Sequence, residues 1–245
     1  MLDREYNLVS NDKYKQCSIK AYLLLKRVAE YYDLNIPQVN YKHIISYIKQ
    51  NFDVFFVFYD KQPFENIGIL LSSTKIKFPN LLPNATFKFL DSVIVDNVAG
   101  TTIKIEDKYV LFVNQNAPKS RVVFSTLHEI VHLYFHSHIE QVRNAFASLN
   151  TNALFYEEDA IEYEDEANVI ASILFLPDER LYDLIKIQKL TFEEICLKEG
   201  ISKPALHNRI KNHLIYNCFC IPNYATTIVL QFRDGNNKTL LEVID

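Results

Sequence analysis

The 245 residues are 49% hydrophobic and 23% charged, with a formal net charge of −4, an ordinary globular composition. Only four glycines occur, with no GxxxxGKS/T or GxGxxG run, which argues against a phosphate-cradling loop. The mild acidity gives no electrostatic reason to expect a nucleic-acid or membrane partner. Cys17, Cys196, Cys218 and Cys220 do not pair by spacing and read as reduced thiols, the lone CxC at 218–220 included. The polar start MLDREYNLVSNDKYK has no apolar signal region, and VFFVFY and VIASILFL are far too short to span a bilayer. A cytoplasmic location is expected.

In chain order, residues 14–34 carry apolar positions three and four apart and predict an amphipathic helix. A second helix is expected over 41–50, after Pro37. DVFFVFYD (53–60) reads as a buried strand, and 61–85, with Pro63, Pro79 and Pro83, as loop. Residues 92–114 alternate like two or three antiparallel strands, with turn signals near Gly100 and Asp107. QNAPKS then leads into a helix over 121–137, and a helix acidic at its start covers 158–175 and stops before Pro177. Thr191 and Glu194 form a capping box opening another helix. Gly200 and Ser202 mark a tight turn into a last one at 203–215. The tail TTIVLQFRDGNNKTLLEVID reads as a β-hairpin around Asp234-Gly235. The class is α+β.

FSTLHEIVHLYFHSH holds four of the seven histidines. On a helix, His128 and His132 are four residues apart, so both imidazoles leave one face and can grip one ion. Glu129 then points at a solvent molecule on that ion, the arrangement a metal hydrolase needs. His138 lies ten residues after His128, as in HExxHxxGxxH. That pattern needs Gly where Phe135 stands, for a sharp exit from the helix. It also needs a Met-containing turn, and the one Met is Met1. The metzincin pattern therefore fails twice.

In gluzincins the third ligand is a Glu on a second helix, with Asp or Asn four residues later to orient a ligand imidazole. Glu164 and Asn168 in the acidic helix have that relation. Glu166 competes, but Ile170 follows it at that spacing; Glu162, followed by Glu166, is less apt. The plainer alternative is that the acidic run only favours a helix N-terminus.

KYVLFVNQNAPKSRVVFSTLHEIVHLYFH resembles the strand, loop and HExxH helix of ImmA/IrrE-type metallopeptidases, and EDEANVIASILFLP is similar to their second-helix motif. The resemblance extends over roughly residues 15–215, since GISKPALHNRI matches a helix-turn-helix-like element common downstream. It implies a zincin-like fold with an HExxH helix and a second ligand helix, followed by that helical hairpin. The small antiparallel sheet is read from the residues, as is the C-terminal β-hairpin, since the tail after about 216 lies outside the resemblance. The expected divisions are 1–180, a metallopeptidase domain with the N-terminal helices, 181–215, the helical hairpin, and 216–245, the tail. The leading Glu of the second motif, the family's metal ligand, falls on Glu164. Val131, Ile170 and Leu176 stand where the family usually has Gly, Phe and Met, which changes packing and leaves the ligands intact. Members are cytoplasmic regulatory proteases that cleave helix-turn-helix repressors of mobile elements or stress regulons, which the resemblance implies for this chain.

The expected chemistry is zinc-dependent peptide hydrolysis, with His128, His132 and Glu164 on the metal and Glu129 as general base. Two imidazoles and a carboxylate suit zinc and tolerate manganese. Tyr134 and His136 lie near the site in sequence, but the oxyanion donor is not legible. YVLFVN (109–114) reads equally as an edge for substrate backbone or as a buried strand. Two rivals stand beside the protease. A transcription factor would use Lys203, His207, Arg209 and Lys211 in the helical hairpin, which reads better as a packed or docking element. A binding module would keep the metal site and sequester a regulator without cleaving it.

Overall fold

The computed structural model describes residues 8–61, 76–78, 81, 85–90, 92–137, 146–149 and 158–244. The chain divides into two units, Met1–Asn40 with Ser172–Asp245, and Tyr41–Ala171. The proline-containing stretch expected to be loop lies largely outside the described residues.

In the first unit, helix α1 (Asn11–Tyr32) starts where Ser10 Oγ accepts from the Lys13 amide and ends at Asp33 in a left-handed conformation. Its buried face, Tyr14, Cys17, Ala21, Leu24, Leu25 and Val28, follows the expected spacing.

The second unit opens with α2 (Tyr41–Asn51) and β1 (Val54–Lys61). After β2 (Thr86–Leu90) come a short helix α3 (Ser92–Asn97) and the hairpin of β3 (Val98–Ile105) and β4 (Lys108–Asn114). Helix α4 (Lys119–Val131) runs into a π-helical turn (His132–His136), and β5 (Phe146–Leu149) precedes α5 (Glu158–Phe175). The sheet has five strands in the order β2-β1-β4-β3-β5.

The sheet is mixed, which corrects the antiparallel expectation. β1 pairs in parallel with β2 and β4, while β3 pairs antiparallel with β4 and β5. The physical cause is legible in β1: Val54, Phe56, Val57, Phe58 and Tyr59 are buried almost without alternation, as in a strand covered on both faces. YVLFVN lies between β1 and β3, so it is an interior strand and offers no free edge. SVIVDN is a short helix rather than a strand, leaving two strands between residues 92 and 114. Gly100 makes no turn; it pairs with Val113 inside β3, and the hairpin turns at Glu106, which has φ 56°.

Beyond residue 175, α6 (Asp178–Tyr182), α7 (Phe192–Glu199) and α8 (Lys203–Tyr216) complete the first unit together with α9 (Pro222–Arg233) and α10 (Lys238–Val243). The capping box at Thr191 and Glu194 forms, Gly200 is left-handed at φ 64°, and Ser202 caps α8. The Tyr14 and Tyr216 rings stack with centroids 3.9 Å apart. The C-terminal β-hairpin does not exist. Pro222 starts a helix, and Ala225, Ile228, Val229 and Phe232 bury one 3.6-period face despite their β-branched neighbours. Asp234 and Gly235 lie in the turn between α9 and α10. No described helix is long and apolar enough to cross a membrane.

Candidate metal centre

Helix α4 is buried almost all round, packing on α2, β3 and β4. His128 and His132 leave it on one face, and α5 brings Glu164 to them. His128 Nε2 lies 3.0 Å from His132 Nε2 and 3.1 Å from Glu164 Oε2. His132 Nε2 is 3.3 Å from Glu164 Oε1, so one carboxylate oxygen faces each imidazole. All three side chains are buried.

These separations sit near the roughly 3.3 Å edge spanned by ligands 2.0–2.1 Å from a tetrahedral zinc. The electrostatics agree with a cation-binding donor set. Burial opposes charge on Glu164, but the adjoining His128 and His132 imidazoles outweigh it and hold the carboxyl down to about 2. Burial, helped by the His128 charge, depresses His132 to about 3 against the pull of Glu164. Burial also opposes charge on His128, yet the hydrogen bond and charge of Glu164, with Glu129 adding, raise it. Near neutral pH, therefore, Glu164 is ionised and His132 offers a lone pair, as a metal requires.

Glu129 turns toward strand β3. Thr102 Oγ1 donates to its Oε2 at 2.7 Å, and both residues are buried. Two residues earlier on the same strand face, a Cβ on Gly100 would lie 2.9 Å from Glu129 Oε1 and 3.0 Å from its Cγ. The glycine supplies room for the carboxylate rather than conformational freedom. The buried Tyr59 hydroxyl donates to the Val98 carbonyl at 2.6 Å. Burial and then the Glu129 charge push its phenol well above the usual range, so it stays protonated.

A second line of groups was not read from the sequence. His132 Nδ1 lies 3.0 Å from His136 Nδ1, and His136 Nε2 lies 3.0 Å from Glu166 Oε1, all three residues being buried. The i, i+4 spacing of His132 and His136 was the available signal. Glu166, considered as a rival to Glu164, thus meets His136 while Glu164 meets the imidazole pair.

Asn168, one turn after Glu164, is half-buried, and among the described residues it makes no hydrogen bond to a site imidazole. His128 Nδ1 is buried without a partner among those residues. Glu162 is exposed, and His138 lies outside the described residues. The Tyr134 ring packs edge-on against Phe52, 5.7 Å between centroids. Among the described residues, His128, His132 and Glu164 form the one His/Cys/Asp/Glu group able to hold a metal.

No curated protein matches the chain. Residues 92–211, from α3 into α8, match the IrrE N-terminal-like domain of a peptidase family, and the matched stretch contains every residue of the cluster. A metallopeptidase-type function goes with that domain and a protein substrate with that function. Over residues 92–211, just under half of its length, the chain is thus similar to the IrrE N-terminal-like domain of that peptidase family.

Proposed function

We propose that the chain is a zinc-dependent endopeptidase of the cytoplasm that cleaves a helix-turn-helix repressor of a mobile element or stress response. The observation that carries the reading is the convergence of the buried His128, His132 and Glu164 within contact distance of one another, with the buried Glu129 beside them. His128 Nε2, His132 Nε2 and a Glu164 oxygen would hold the metal, zinc in preference to manganese for this donor set. Zinc, when bound, supplies Lewis acidity that makes a water acidic near neutral pH and polarises a carbonyl. Glu129 takes the proton from the attacking water at its carboxylate and delivers it to the departing amine nitrogen. Thr102 holds that carboxylate in place through its hydroxyl.

The α7–α8 hairpin suits substrate docking better than reading DNA. Arg209, one of its few cations, is buried against Asp178, and Lys203 pairs with Glu193. The test is incubation of the zinc-loaded protein, and of its Glu129→Gln variant, with a panel of helix-turn-helix repressors, reading fragments by mass spectrometry. Cleavage by the wild type alone supports the protease. Relief of repression that survives Glu129→Gln would favour a sequestering binding module.

A further inference from the structure

The two imidazoles of the cluster are supported unequally. His128 Nδ1 is buried with no partner among the described residues, whereas His132 Nδ1 faces His136 Nδ1 at 3.0 Å. His136 in turn reaches Glu166 Oε1 through Nε2, also at 3.0 Å. The π-helical turn spanning His132–His136 widens the helix just where these two rings must meet. Proton positions along the line follow from the ends. A Glu166 carboxylate only accepts, so His136 must carry its proton on Nε2. His136 Nδ1 is then a bare acceptor, and His132 must donate to it from Nδ1. His132 Nε2, 3.0 Å from His128 Nε2, is left with its lone pair directed into the cluster.

We propose that Glu166 and His136 form a positioning relay that fixes His132 in the Nδ1–H tautomer and holds its ring in register for metal binding. The inference rests on the metal reading proposed above. It gives roles to the competing carboxylates: Glu164 belongs to the donor set, and Glu166 acts on the same set through His136. The relay acts on ring orientation and tautomer, and none of its members changes charge in doing so. A ligand imidazole held this way binds its metal more tightly, and loss of such a partner typically lowers affinity 10–100-fold.

The test is zinc affinity by competition with a chromophoric chelator, on wild type, His136→Phe, Glu166→Ala and Glu166→Gln. Thermal melts of the apo proteins serve as the folding control. His136→Phe and Glu166→Ala should each weaken zinc binding about 10–100-fold, and the double variant no more than His136→Phe alone, because the groups act in series. Glu166→Gln keeps an oxygen that accepts from His136 Nε2–H and should recover most of the affinity. Wild-type affinity in a folded His136→Phe would overturn the relay while leaving the metal reading intact. Absence of zinc binding by the wild type would overturn both. Should the variants not fold, ring 15N NMR of the zinc-loaded wild type decides. A proton on Nε2 alone in His136 and on Nδ1 alone in His132 supports the relay, and a proton on His136 Nδ1 overturns it.

Discussion

Among the described residues, a half-buried and a fully buried cluster of histidine and carboxylate are closed in opposite ways. In the first unit, Asp178 receives Arg209 Nη2 and His213 Nδ1, each at 2.6 Å, while Arg209 Nε donates to the Leu176 carbonyl at 2.8 Å. A guanidinium there neutralises the carboxylate, so its charge is balanced within the protein. In the second unit, two Nε2 atoms face each other 3.0 Å apart beside Glu164, with no Lys or Arg in the cluster. Two nitrogens at that distance can share at most one proton, so the full donor set is satisfied by a cation. The first network ties the α5–α6 junction to α8, and the second is built to receive something.

The contrast can be broken from either side. The largest effect is expected at Glu129: Glu129→Gln should cut peptide cleavage about 10³-fold, the usual weight of a general base, with zinc content unchanged. A parallel loss of zinc would make Glu129 part of the binding set instead. Asp178→Asn should leave zinc content intact and cost about 3 kcal/mol of stability, because it strands a buried guanidinium. Denaturant melts would read this.

That variant also carries a pH signature. Burial raises the Asp178 carboxyl, but Arg209 and His213 outweigh it and hold it well below the usual 3.8. Its stabilisation is therefore present above about pH 4 and lost as pH falls toward the depressed value. Stability of the Asn variant should be flatter between about pH 4 and 2. An unchanged slope would mean that Asp178 is not the acid-sensitive group.

Smaller effects sharpen the role of strand β3. Gly100→Ala would put a methyl 2.9 Å from Glu129 Oε1 and 3.2 Å from the Phe112 carbonyl, so the carboxylate must move. Cleavage should fall about 10–100-fold with zinc retained, the scale of a misplaced catalytic group. Thr102→Val keeps the shape and removes the 2.7 Å hydroxyl donor, for a loss of about 10-fold in kcat. Full activity in both would show that Glu129 positions itself without β3.

Much of the site was legible because helical spacing is local. HEIVH needs only the 3.6 period to put His128 and His132 on one face, and the acidic helix at 158–175 has the bounds expected from its composition and Pro177. What depended on tertiary contact was not legible. Gly100 resembles a turn signal until Glu129 is seen packed over it, and His136 gains a partner only when α5 brings Glu166 across. The burial of β1 could be read from its apolar run, but its parallel pairing with β2 and β4 rests on partners distant in sequence, which that run does not identify. The tail misled because TTIVLQF is β-branched and precedes Asp-Gly, yet its apolar residues recur at helical spacing.

The most direct test of the central claim is the zinc content of the purified protein, measured by elemental analysis beside Glu164→Gln and Glu166→Gln. The account predicts about one zinc per wild-type chain, lost with Glu164→Gln and largely kept with Glu166→Gln. A wild-type chain that stays free of metal after reconstitution at neutral pH would contradict it, and would make HEIVH a structural helix.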